Sequence, residues 1–182
     1  MEAVVKQLQG VTFAGKSESN HWVMMDGAEE FGGSRAASGP MELLLISLGG
    51  CTAFDVASIL RKKRVKLEGF EVRLKAERAT EAPKVLTKIH IEYVFRGENI
   101  PKQDVERAIE LSQTKYCSVS AMLKKVAELT HSYSIQKPTA VRRSRTLILR
   151  HKRGERTVSS DGAATALTEN KGIATAAKAT SR

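Results

Sequence analysis

Apolar and polar positions change their period along this chain, and the changes mark out the elements. Residues 2–8, 12–17 and 21–26 are short runs with partial alternation (Val4, Val5, Leu8; Val11, Phe13; Trp22, Val23, Met24), broken by Gly10 and by Ser17-Glu18-Ser19-Asn20. They predict an antiparallel meander. A Gly- and Ser-rich loop, 27–39, leads to Pro40, which suits the first position of a helix because its missing N–H has no partner there anyway. From Met41 to Leu60 the helix is apolar almost all round (Leu44, Leu48, Phe54, Val56, Ile59), so it is expected at the centre of a domain or of an oligomer. Arg61-Lys62-Lys63-Arg64 ends it with cations near the last carbonyls. Two long strand-like runs follow, Val65–Arg78 and Val85–Phe95, joined at Glu81-Ala82-Pro83. Pro101 opens a helix with Val105, Ala108, Ile109 and Ser112 on one face. Cys117-Ser118 opens another, expected to contain Val119, Met122, Leu123 and Val126, and His131–Ile135 reads as a last strand. The order βββ-α-ββ-α-α-β is α+β, and nothing in it calls for a parallel sheet.

Composition divides the chain at Lys137. Of 30 Lys plus Arg against 20 Asp plus Glu, residues 137–182 hold 11 bases and three acids, leaving residues 1–136 nearly neutral. Every Phe, Trp, Tyr and Cys lies at or before Tyr133. A domain over 1–136 and a basic, disordered tail over 137–182 are therefore expected. The tail lacks aromatic residues for base stacking and any DNA-binding motif, so no specific nucleic-acid partner is expected. The 41–60 segment nearly has the length of a membrane span but carries Glu42, Asp55, Gly49 and Gly50, and it reads as a buried core helix of a protein without a membrane partner. The N-terminus has no secretory pattern and two cysteines make no disulfide framework, so the expected location is the cytoplasm.

Those cysteines are the candidate nucleophiles. Cys51, inside the apolar helix, reads on composition as a small core residue. Cys117 stands at a helix start beside Lys115, a setting expected to lower a thiol pKa. Asp55 is one turn after Cys51 and needs a partner, expected to be an arginine or backbone donors. Glu42 lies nine residues before Cys51, on the opposite side of the helix and about 13–14 Å along it. If both serve one site, another element or a second copy of the chain must bring them together. Neither cysteine has metal-ligand spacing, the four histidines have none, and the loop 32–39 lacks the P-loop pattern, so no metal or cofactor is expected.

The run Gly39-Pro40-Met41-Glu42-Leu43-Leu44-Leu45-Ile46-Ser47-Leu48-Gly49-Gly50-Cys51, with Tyr116-Cys117-Ser118-Val119 after it, resembles the OsmC/Ohr (osmotically inducible protein C-like) family in its YhfA-like branch. The resemblance covers about residues 1–136. It implies an intertwined homodimer in which sheets wrap long central helices, with sites at the subunit interface. It also implies a thiol peroxidase of peroxiredoxin type, active on organic hydroperoxides in oxidative stress. Cys51 would be the peroxidatic residue and Cys117 the resolving one. An external dithiol, in part of the family a lipoylated protein, would be the reductant. Glu42 matches the glutamate that orients an arginine over the thiol; Arg35 is the nearest candidate for that arginine, which active members place further upstream. The competing expectation is a non-catalytic dimer that binds a small apolar ligand at its interface.

Overall fold

The computed structural model describes residues 1–138, so all but the first two residues of the basic tail lie outside the described residues. Strands β1 (Ala3–Gln9), β2 (Thr12–Ser17) and β3 (Trp22–Met25) form the antiparallel meander, with Phe13 paired to Gln7 on one side and Met25 on the other. A single 3-10 turn, Glu29–Phe31, lies in the following loop. Helix α1 runs from Pro40 to Lys62. Strands β4 (Gly69–Arg78) and β5 (Leu86–Arg96) come next, then α2 (Lys102–Leu111), a π-turn (Ser112–Tyr116), α3 (Ser118–Leu123) and β6 (Glu128–Gln136).

The sequence expectations hold for element order and need three corrections. Residues 65–68 precede β4 and are not part of it. Helix α3 ends at Leu123, and Val126 lies beyond it, exposed. The third concerns the second sheet, ordered β4-β5-β6: β5 and β4 are antiparallel, but β5 and β6 are parallel, Tyr93 opposite Tyr133. Parallel neighbours need a crossover of a dozen or more residues, and the α2, π-turn and α3 segment supplies one. The fold is α+β with one mixed sheet.

The core lies between this sheet and the helices. Alternate residues of β5 (Ile89, Ile91, Tyr93, Phe95) turn inward as the strand period requires and share one cluster with Leu48, Val56 and Leu60 of α1 and Val105, Ala108 and Ile109 of α2. Phe70 of β4 stacks on Phe95 with ring centroids 4.7 Å apart. Gly49 lets α1 approach β4 closely, since a Cβ there would meet Leu74 Cδ1 at 2.7 Å. On the other face of β5, His90 bonds to Thr130 and Ser132 across the strand pair.

Two large surfaces remain outside this core. No residue of β1–β3 belongs to the cluster, and Val5, Leu8, Trp22 and Val23 are exposed. The α1 helix buries only Leu48, Gly49, Thr52, Val56 and Leu60; the stripe Ile46, Gly50, Phe54, Ala57 is open, with Ile46 58% and Phe54 74% exposed. Among the described residues this helix, expected at the centre of a domain or of an oligomer, is covered on one side.

Ile91 is fully buried at the centre of β5. Ile91→Ala should therefore cost about 2–5 kcal/mol in denaturant unfolding, whereas a cost below roughly 1 kcal/mol would contradict its place in the core.

Candidate functional site

Helix α1 places Cys51 and Asp55 one turn apart on one side, at the seam between its buried and open faces, and both are half-buried. The fold then adds Cys117 from far along the chain. Its Sγ, the Cys51 Sγ and an Asp55 carboxylate oxygen all lie within 4.8 Å of one another. Both cysteines are free thiols. The π-turn makes this convergence: the Cys117 N–H donates to the Ser112 carbonyl at 2.9 Å, one residue wider than an α-turn, and the chain then re-enters helix with Cys117 as N-cap.

The expectation of a lowered Cys117 pKa is overturned. The residue is only 3% exposed, and burial pushes its thiol up, with the neighbouring Cys51 thiol adding to the rise; the Ser120 hydroxyl and N–H, donating to Sγ at 3.1 and 3.4 Å, oppose it. Lys115 is turned over the Tyr116 ring, 5.5 Å from its centroid. Helix α3 has only six residues, too short for a large terminal field.

The partner of Asp55 is neither of the two expected kinds. It is the Ser112 hydroxyl, which donates to Oδ2 at 3.1 Å. Ser112 is fully buried and belongs to a polar network in which Thr52 Oγ1 lies 2.9 Å from Ser112 Oγ and 2.6 Å from Tyr93 OH, and Gln113 Nε2 donates to Tyr93 OH at 2.7 Å. Such a satisfied network fixes rotamers in an otherwise apolar interior. It ties the helix carrying Cys51 to the turn carrying Cys117. Among the described residues no Lys or Arg is hydrogen-bonded to Cys51, Asp55 or Cys117.

Glu42 and Arg35 lie elsewhere in the single chain. Glu42 caps α1, its Oε2 accepting the Gly39 N–H at 2.8 Å. Together with Arg35, Asp26 and Arg78 it lines a cavity of about 640 Å³ at the helix N-terminus, and neither cysteine lines it. The loop holding Arg35 is built on a residue the sequence reading passed over. Asp26, 3% exposed, accepts from the Thr12 hydroxyl, the Gly27 N–H, the Ser34 N–H and hydroxyl, and the Ala36 N–H, at 2.8–3.0 Å. Bonds to the residues on either side of Arg35 hold it in the left-handed region, φ 52°. Gly33 allows the loop to fold on itself, since a Cβ there would clash with the Gly27 carbonyl. The only signal in the sequence was an acid at the start of a Gly- and Ser-rich segment.

Residues 32–132 match the OsmC-like protein family. The chain belongs to the OsmC-like family. Protein YhfA of Escherichia coli (strain K12) is 44% identical over 135 residues, 74% of this chain and 98% of that protein. A hypothetical protein from Aquifex aeolicus VF5 has a solved structure 33% identical, covering 76% of this chain and 97% of its own, with a TM-score of 0.67. The organic hydroperoxide resistance protein OsmC from Legionella pneumophila is 12% identical, covering 74% and 97%, with a TM-score of 0.57, and shares the fold. The OsmC-like match spans the α1 cysteine, the π-turn cysteine and the Arg35 loop.

The carboxylate hub makes a prediction with a definite sign. Its hydrogen bonds hold Asp26 well below the usual carboxylate range, the Ala36 N–H bond first and the Ser34 hydroxyl second. A depressed folded-state value gives stability that is present above the unfolded value, about 3.9, and is lost as pH falls through the folded one. Protection of the Ser34 and Ala36 amides from hydrogen exchange should persist at about pH 4 and fail only in stronger acid. Asp26→Asn should reduce it at least roughly tenfold at neutral pH; unchanged protection would remove Asp26 from this role.

Proposed function

We propose that this OsmC-like protein is a thiol-dependent peroxidase that reduces organic hydroperoxides. The observation that carries the reading is the pair of free thiols facing each other, half-buried Cys51 and buried Cys117, beside a carboxylate. The difference in exposure suits two roles, since the first thiol must meet a peroxide and the second only the first. The Legionella neighbour's name as an organic hydroperoxide resistance protein supports the same chemistry.

In the first step the Cys51 thiolate attacks one peroxide oxygen, the O–O bond breaks, and the departing alkoxide takes a proton to become the alcohol. Cys51 is then a sulfenic acid. The Cys117 sulfur attacks the Cys51 sulfur, loses its proton and expels the hydroxyl as water, leaving a Cys51–Cys117 disulfide. An external dithiol supplies the two electrons and two protons that restore both thiols. A reducing cytoplasm provides such dithiols.

The reading includes a homodimer. The open apolar stripe of α1 and the uncovered meander leave Ile46, Phe54, Val5, Leu8, Trp22 and Val23 exposed to water, the kind of apolar exposure that marks an interface, and Gly50 would admit a close neighbour, nothing lying within 4 Å of a Cβ built there. A second copy covers both by seating its own α1 on this one and wrapping its meander around the pair. The partner's Arg35, steadied by the partner's Glu42, then reaches Cys51, which has no cation bonded to it among the described residues. A purely ligand-binding dimer would need the same interface but no reactive thiol.

Two measurements test the proposal. Sedimentation equilibrium should give twice the chain mass of 19.9 kDa, and a monomer at micromolar concentration would contradict the interface. Treatment of the reduced protein with an organic hydroperoxide should yield the Cys51–Cys117 disulfide by mass spectrometry. Cys51→Ser should bring turnover to background, while Cys117→Ser should leave a sulfenic acid on Cys51 that a dione reagent traps. Full turnover by Cys51→Ser would sink the peroxidase reading.

A further inference from the structure

We propose that Cys51, Asp55 and Cys117 form a binding site for a divalent transition metal of the zinc class, with three protein ligands and a fourth, open position. The donor set is two sulfurs and one carboxylate oxygen, mutually within 4.8 Å. A tetrahedral ion with metal–sulfur bonds of about 2.3 Å and a metal–oxygen bond of about 2.0 Å separates its ligand atoms by roughly 3.5–3.8 Å. The three groups therefore need to close by about 1.0–1.3 Å at most. Two of them are one turn apart on α1, the spacing by which one helix offers two ligands to one ion. The third comes from the N-cap of α3, so the site clamps α1 to the crossover.

The surroundings are those of bound ligands. Ser112 donates to Asp55 Oδ2 at 3.1 Å, which orients the carboxylate, and Ser112 is locked by Thr52 in the buried network. Ser120 directs both its hydroxyl and its N–H at Cys117 Sγ, bonds that favour a thiolate over a thiol. Hydrogen bonds of this kind orient ligands and tune their basicity in metal sites. Charge points the same way. Two thiolates and a carboxylate would carry three negative charges, two of which a divalent ion offsets. Soft sulfur donors select zinc-like ions over calcium or magnesium. Cys51 is half-buried, and the fourth position would be filled by water. Ion and disulfide exclude each other, and the loaded form holds both thiols reduced.

The test uses no oxidant, so it fails or succeeds independently of the peroxidase reading. Full-length, tag-free protein with both thiols counted as reduced is titrated with Co²⁺. The expected result is one Co²⁺ per chain, with a thiolate-to-cobalt charge-transfer band and the intense visible bands of tetrahedral cobalt, both abolished by added Zn²⁺. Cys51→Ser and Cys117→Ser should each lose most of the charge-transfer intensity. Asp55→Asn, with its fold checked by circular dichroism, should keep the sulfur band but weaken binding at least about tenfold. Absence of the band in reduced wild-type protein would overturn the proposal, and so would full affinity in Asp55→Asn.

Discussion

A 23-residue helix that is apolar on nearly every side can be covered on only one side by its own sheet, and this constraint governs the rest of the molecule. The inward face of α1, Leu48, Val56 and Leu60, packs against β5 and α2. Its open stripe, Ile46, Gly50, Phe54 and Ala57, has no counterpart in the described residues. Such a helix meets the length and composition of a membrane span, yet Leu48, Gly49, Thr52, Val56 and Leu60 are buried against the rest of the chain, Thr52 in a buried polar network. In the proposed homodimer a second copy of the chain would resolve the imbalance without a membrane, because like stripes would cover each other.

The proposed site sits where that helix changes from covered to open. Cys51 and Asp55 stand on the seam, held by the same turn of helix that sends Thr52 inward to Tyr93 and Ser112. One buried hydroxyl, that of Ser112, bonds to both Thr52 and Asp55, so the packing of the core and the placement of the carboxylate are not separable. The π-turn that follows α2 brings Cys117 to the other thiol. Burial raises that thiol's pKa, and the Ser120 hydroxyl and N–H oppose the rise.

Much of this was legible in the sequence, and the exceptions have physical causes. Period-2 and period-3.6 patterns are local, so the meander, α1, β5 and α2 could be read from neighbouring residues. The parallel pairing of β5 with β6 could not, because it depends on how a helical crossover returns the chain, and the run around Val126 imitates helical spacing after α3 has ended. The cysteines were visible as residue types and by family resemblance, whereas the approach of Asp55 to Cys117 joins positions on different elements. The thiol pKa was misjudged because a helix start and a nearby lysine are visible in sequence and burial is not. Asp26 went unnoticed for a similar reason: one carboxylate collecting five donors is a property of the folded loop.

The central claim is that the site is shared between two copies, with Cys51 from one chain and Arg35 from the other. Mixed dimers test it directly. Cys51→Ser protein, which retains Arg35, is unfolded and refolded together with Arg35→Ala protein, which retains Cys51, and hydroperoxide turnover is measured. Sharing predicts that each mixed dimer regains one complete site of its two, so the mixture recovers activity that neither parent shows. A mixture as inactive as its parents, with mixed dimers demonstrated by mass spectrometry, would contradict the account.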